Sequence, residues 1–485
     1  MATDGRQNLV MPGQPRYQPK ELRSFFGYDL LYLTVAEVEL AVLEVLYEIR
    51  IIPKNEFVQL TPAVIELVRA IPTTTVDRIE REITKHDVRA WIREAQRIIG
   101  PPLNRWVHIP LTSFDPLDTG RILQFVRAYS QAIRPALLKT VGILAELVER
   151  FADQIQTGRT HGQPALPITV GFWLATILSR LLYNMQQSDA CCGQLAGKIS
   201  GAVGAYNAQV GLGIAERCGD KSFEQRVLGK LGLQPARIST QILPPEPVAN
   251  FLFACCLISA TLGQLGRDCR HLMRGEIGEI AEDFAPGQVG SSTMPHKRNP
   301  IHFEQLEGMW LRTKSEFGKV MDWLISEHQR DLVGSSLARD FPIILINLQQ
   351  QLNTLLRANT AGVPFLLRMK VDVDACHANF ARNAHLVMAE PLYIALQMAG
   401  FTADAHQLVN ERLVPKAQQL GCSLLSVARA LAEEDDAISQ ALSAIPPELL
   451  ERLECPERYV GEAPQRARQI VRAARQFLAQ PGNCP

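Results

Sequence analysis

From Thr34 onward, apolar positions recur along this chain at the three- and four-residue spacing of a helix face. Val35, Val38, Val42, Val45 and Ile49 fall on one side of a first helix, for which Thr34 is the expected N-cap. Thr61-Pro62 predicts a second start, with proline at the first helical position, where its missing N–H is no loss. A third helix follows Thr84-Lys85-His86-Asp87-Val88 and runs through Ile98 to the stop at Gly100-Pro101-Pro102. Asp87 is its expected cap, with His86 on the loop just before it. Leu111-Thr112-Ser113-Phe114-Asp115-Pro116 is polar and turn-like, and nothing in this first region reads convincingly as a strand. These elements predict a small helical domain over residues 1–118.

The pattern then lengthens. Segments Arg121–Phe151, Thr169–Ala196, Pro247–Phe284, His302–Ser326 and Leu337–Ala361 are periodic and nearly free of interior proline. Helices of about 25 residues are roughly twice the globular mean, and several side by side imply an elongated bundle. We therefore expect an all-α protein with a central long-helix bundle over 119–365. Phe251–Leu265 carries no charge at all, which predicts a helix buried on every side and packing against other subunits. Beyond Asp372 the helices shorten, broken at Gly421-Cys422 and Pro446-Pro447, so residues 366–485 are expected to form a third, smaller helical domain.

Composition adds exclusions. Lys+Arg and Asp+Glu are equal at 50 each, which gives no electrostatic footprint for nucleic acid or an anionic membrane. The ten cysteines include no C-x-x-C spacing, so reduced thiols are expected rather than a zinc site or a disulfide framework. Residues 1–20 have no apolar core of a secretory signal, and the apolar stretch near Phe251–Leu262 is too short to span a bilayer. A cytoplasmic location is the expectation.

No nucleotide-loop, dinucleotide or zinc-protease motif is present, so we expect no metal and no cofactor, and chemistry by side chains alone. Four polar clusters qualify. Gly290-Ser291-Ser292-Thr293-Met294-Pro295-His296-Lys297-Arg298-Asn299-Pro300 crowds hydroxyls and cations into a stretch that cannot be a regular helix. Gly158-Arg159-Thr160-His161-Gly162-Gln163-Pro164-Ala165 is a polar knot between two bundle helices. Ser239-Thr240-Gln241, closed by Pro244-Pro245, alone reads as an ordinary connection. His328 to Arg339 offers two arginines and two serines. It is either a bidentate anion clamp or a solvated turn with surface ion pairs.

Together these residues resemble the fumarase/aspartase superfamily. Its signature G-S-S-x-M-P-x-K-x-N-P is matched at every fixed position by Gly290 to Pro300. T-G-R-T-H-G-Q-P-A (Thr157 to Ala165) and T-S-x-D-x-x-D-T (Thr112 to Thr119) are also matched. Within the superfamily the adenylosuccinate lyase branch is most similar. Lys85-His86-Asp87-Val88-Arg89-Ala90, Arg16-Tyr17, Lys198 to Gly204, Gln241, and Gln329 to Arg339 carry that likeness. The resemblance implies three helical domains, a homotetramer with sites shared among subunits, a small-molecule nucleotide substrate and no cofactor.

It also implies roles. Ser291 would take the Cβ proton, and His161 would protonate the departing nitrogen. Glu304, seven residues past Lys297, would face that histidine, and Lys297 would support the developing charge together with Asn299, Thr112 and Ser113. Arg330, Ser335 and Arg339 would hold a phosphate. Arg16, Tyr17, His86, Asp87, Thr160 and Gln241 would complete substrate binding.

Departures stand at Val333-Gly334 and Ala338, Phe114-Asp115-Pro116 places a proline in the first-domain loop, and Arg458 to Pro464 is similar to a segment of carboxymuconate cycloisomerases. Two other readings follow. One is a superfamily enzyme acting on a different succinyl-type substrate or a carboxymuconate. The other, more remote, is a non-catalytic structural homologue, against which the presence of Ser291, His161, Lys297 and Glu304 argues.

Overall fold

The structure, a computed structural model, describes residues 18–284, 287 and 289–480. Arg16 and Tyr17 lie outside them. The first long helix, α1 (Leu33–Glu48), packs against α2 (Phe114–Ala128). Thr34 sits inside α1 rather than capping it, because Tyr32 occupies the cap position. Its hydroxyl instead faces Gly120, where a Cβ would come within 2.8 Å. Thr61 does cap the helix Pro62–Arg69, accepting the Val64 N–H. At the third helix, Asp87–Ile99, His86 rather than Asp87 occupies the cap position.

The bundle is built from α3 (Arg134–Arg150), α4 (Val170–Gly193), α5 (Glu246–Leu272), α6 (Ile301–Trp323) and α7 (Pro342–Leu356). The expected helix Arg121–Phe151 is α2 and α3 joined through one π turn, Tyr129–Ile133. Pro135 at the second position of α3 has no N–H to return to the ladder, and the wider turn carries the chain past it. At the C-terminal end α5 stops at Leu272, short of the expected Phe284, and α7 begins only at Pro342, after a separate helix Val333–Ala338.

At the centre lies α5, against α4, α6 and α7. Its 27 residues span about 40 Å at 1.5 Å per residue and are apolar enough to cross a bilayer, but most of them are buried in the bundle. Cys255, Ile258, Leu262 and Leu265 are wholly buried by neighbours in the same chain. The missing charge over Phe251–Leu265 is therefore accounted for largely by burial within one chain. The exception is Phe253, 48% exposed.

Between α3 and α4 the polar knot is a β-hairpin, β1 (Ile155–Thr160) and β2 (Gln163–Thr169), antiparallel with Thr160 opposite Gln163. The turn is His161-Gly162, with φ +54° and +76°, as a tight two-residue hairpin turn requires. One hydrophobic core joins the first region to the bundle and takes in Ala467, Val471, Ala474 and Phe477. A second runs from Met388 to Leu453. The helix α8 (Val373–Val387) packs on the hairpin, and the last helix, α9 (Ala463–Leu478), returns to cover α3 and α4.

A close helix contact is at Gly266 of α5, where a Cβ would lie 2.5 Å from the Phe303 carbonyl and 2.8 Å from Leu306 Cβ of α6. Gly266→Ala is expected to force these axes apart at about 1–3 kcal/mol, read as a lower thermal midpoint. An unchanged midpoint would mean that the bundle yields at this crossing.

Candidate active site

The first site element starts at Asp115, the second residue of α2. One carboxylate oxygen accepts the Thr112 N–H at 2.8 Å, fixing the loop that carries Thr112 and Ser113. The other meets the Lys198 ammonium and the N–H groups of Ser200 (3.1 Å) and Gly201 (3.3 Å). Asp115 and Lys198 are both completely buried. Thr119 accepts the Lys198 N–H and donates to the Lys198 carbonyl, so helix and loop are joined twice.

The same loop presses on the next segment. Gly204, with φ +77°, leaves no room for a side chain: a Cβ would lie 2.1 Å from the Ser239 carbonyl oxygen. The hydroxyls of Ser200 and Ser239 are 2.7 Å apart, and Asp118 accepts the Leu243 N–H at 3.0 Å. Burial pushes the Asp118 carboxyl above its usual range, against the pull of Arg121, the Leu243 N–H, Lys198 and Arg330.

Gln241 leads to Arg330. The guanidinium donates to Gln241 Oε1 (2.9 Å), Ser335 Oγ (3.1 Å) and the Asp331 carbonyl (3.1 Å), and lies 3.3 Å from the centre of the Phe114 ring. Burial lowers its pKa, while the negative charges of Asp118, Asp331 and Asp87 act to raise it. Asp87 thus belongs to this neighbourhood. Beside it His86 Nδ1 stands 3.1 Å from the Asp87 carboxylate. Gln241, Arg330 and Ser335 form one hydrogen-bonded cluster, and Phe114, stacked on the guanidinium, follows Thr112 and Ser113 directly in the chain. Arg339 is exposed beyond the helix Val333–Ala338, and no hydrogen bond or ion pair among the described residues ties it in.

The second element is the hairpin tip, with Thr160 and His161 exposed. It is anchored at its base by Glu279, a carboxylate with no exposure that takes Arg159 (2.6 and 3.1 Å), Gln156 (2.8 Å) and Asn379 of α8 (2.9 Å). The third element is the loop Gly290–Pro300. Asn299 donates to the Gly290 carbonyl at 2.9 Å, drawing its ends together. Ser291 Oγ accepts the N–H groups of Met294 (3.1 Å) and Thr293 (3.4 Å). Donors aimed at an oxygen favour negative charge on it.

Lys297 is exposed, as is Glu304 on the first turn of α6. Just before the loop, the buried Glu282 accepts the N–H groups of His302 (2.7 Å) and Phe303 (3.1 Å) and pairs with the His302 ring (2.6 Å). Among the described residues, no hydrogen bond or ion pair within the chain links His161, Ser291, Lys297 and Glu304 to one another or to the Arg330 cluster.

Sequence reasoning missed Asp115, Glu279, Glu282 and Phe114 as organising groups. Asp115 alone carried a signal, as the acid of T-S-x-D. Carboxylates at 279 and 282 have no local pattern that marks them as buried.

A family model described as Lyase matches residues 51–313. The chain is similar to adenylosuccinate lyase from Pyrococcus horikoshii, 31% identical over 475 residues, with 95% of this chain and 97% of the relative covered. It is similar to adenylosuccinate lyase from Methanocaldococcus jannaschii, 31% identical over 476 residues, with 96% of each covered. Its structure is similar to the crystal structure of 3-carboxy-cis,cis-muconate lactonizing enzyme from Pseudomonas putida, with a TM-score of 0.77 and 26% identity, covering 96% and 98% of the two chains.

Removing one partner of a buried ion pair costs about 3–5 kcal/mol. Asp115→Ala is therefore expected to lower thermal stability by that order and to free the Thr112 loop. Amide hydrogen exchange at residues 111–115 and 198–204 reports the loosening. Wild-type protection at both loops would show that Asp115 does not join them.

Proposed function

Because this chain belongs to the lyase family it matches, within the fumarase/aspartase superfamily, we propose that it eliminates fumarate from adenylosuccinate to give AMP. The parallel cleavage of the succinyl-aminoimidazole-carboxamide ribotide in purine synthesis is included in the proposal. The observation that carries it is the cluster in which Gln241 and Ser335 orient Arg330 over Phe114, the residue that follows Thr112 and Ser113 in the chain. A guanidinium with free N–H donors suits a nucleotide phosphate.

In this reading Ser291 removes the proton from the carbon next to a carboxylate, helped by the N–H groups aimed at its oxygen. The electron pair is held as an aci-carboxylate by Lys297, Asn299, Thr112 and Ser113, donors fixed in advance where charge develops. The C–N bond then breaks, and His161, biased toward its protonated form by Glu304, gives a proton to the leaving nitrogen. The proton count closes: one leaves carbon for Ser291, one reaches nitrogen from His161. Arg16, Tyr17, His86, Asp87, Thr160 and Arg339 are assigned to substrate binding.

We further infer a homotetramer with sites completed between subunits. Support comes from the exposed hairpin tip and from the large apolar side chains left open on the bundle, Tyr183 of α4, Phe253 of α5 and Leu311 and Met321 of α6. An apolar set of this kind on one body favours burial against a partner.

A second reading keeps the fold and the acid–base pair but changes the substrate to another succinyl compound or a carboxymuconate. It is favoured by the departures at Gly334 and Ala338 beside Arg330. Fumarate release from adenylosuccinate, followed by absorbance, separates the two. A folded wild type without turnover on adenylosuccinate would remove the nucleotide assignment. Ser291→Ala and His161→Ala are each expected to lose at least about a hundredfold in kcat, and near-normal turnover in either would refute its role. Mixing the two inactive proteins after subunit exchange is expected to restore part of the activity. No recovery in verified mixed oligomers counts against shared sites.

A further inference from the structure

Positions 334 and 338, where this chain departs from the common adenylosuccinate lyase pattern, meet Phe114 in space. Phe114, Gly334 and Ala338 line one small cavity with Trp323, Arg330 and Ser335. The Phe114 ring lies under Arg330, 3.3 Å from ring centre to guanidinium carbon. On the other side, Trp323 fills the space that a side chain at 334 would need: a Cβ there would sit 2.6 Å from Trp323 Cδ1. Trp323 is itself held edge-on to Phe341, with ring centres 5.2 Å apart at 84°. The short helix that carries Ser335 is thus seated on an aromatic support, and the arginine it contacts lies on another.

A guanidinium has two kinds of surface. Its face stacks on aromatic rings, while its edge carries five N–H donors that recognise anions. Here Phe114 takes the face and protein acceptors take three N–H groups, from Nη1, Nη2 and Nε. Two donors on the edge have no partner among the described residues. An arginine left free in solvent loses rotamer freedom when it binds, and that loss weakens the complex. One already fixed on a ring does not lose it again.

We propose that Phe114 is a positioning residue for anion binding. Its ring holds Arg330 flat, so that the open guanidinium edge meets the phosphate of the substrate in a fixed orientation. The inference rests on the nucleotide reading for the source of that phosphate, but the effect itself can be read with inorganic phosphate as the probe.

Phe114→Leu and, as a second variant, Phe114→Met remove the ring while keeping an apolar side chain; Phe114→Tyr keeps it. In the full-length protein, calorimetry gives the dissociation constant for inorganic phosphate, and fumarate release gives KM and kcat for adenylosuccinate. Losing the ring is expected to raise both the dissociation constant and KM roughly three- to thirtyfold, the range of a cation–π contact from exposed to desolvated settings. The drop in kcat is expected to be smaller than the rise in KM, and Phe114→Tyr is expected to stay near wild type. In an Arg330→Ala background, Phe114→Leu is expected to add little further loss, because the two act through one contact.

The proposal is overturned if both ring-removing variants bind phosphate as the wild type does, or if their losses add in full to that of Arg330→Ala. Phosphate binding with the expected pattern, in a protein that does not turn over adenylosuccinate, leaves the role of Phe114 standing and removes the nucleotide reading.

Discussion

The buried pair of Asp115 and Lys198 is the constraint on which the anion-handling half of the site depends. Two opposite charges with no exposure are costly to bury, and they are tolerable only where geometry and further hydrogen bonds offset the lost water. Asp115 meets that condition with three backbone N–H groups besides the ammonium. Each comes from a segment that would otherwise be a loose loop. Once the pair forms, the Thr112 loop and the Lys198–Gly204 loop have one relative position. Ser239 to Gln241 is then placed by the contact at Gly204, and Arg330 by Gln241.

The same device recurs. Glu279 sits behind the hairpin tip and Glu282 behind the signature loop, both nearly or wholly buried. In each of the three elements, a segment of candidate chemistry that is at least partly open is held by a carboxylate that is buried or nearly so. Polar groups in such low-dielectric surroundings favour a single arrangement, because partial satisfaction is costly. Binding segments can then remain open at their tips without being loose at their bases. The proposed reaction needs this combination, since His161 and Ser291 must be accessible to substrate yet arrive in fixed orientation.

Much of this was legible in the sequence, but unevenly. Helical periodicity located α4 and α6 to within a few residues, because long apolar stripes are read directly from spacing. It failed at ends and joints. The π turn at Tyr129 preserves the periodicity that a break would have interrupted, and the stretch after Leu272 keeps apolar residues where the helix has already stopped. The hairpin was hidden because Gly158, Gly162, Pro164 and Pro167 read as interruptions. Its turn also depends on a positive φ at His161, a histidine rather than a glycine. The candidate segments were found by motif, yet what holds them was not. Asp115 and Lys198 are 83 residues apart, and a pairing across that distance leaves no mark in local pattern.

The grip of Glu282 has a mechanical consequence. By binding residues 302 and 303 from position 282, it fixes the chain just before the loop to the first turn of α6. The length of chain between those two points sets the furthest that Ser291 can travel.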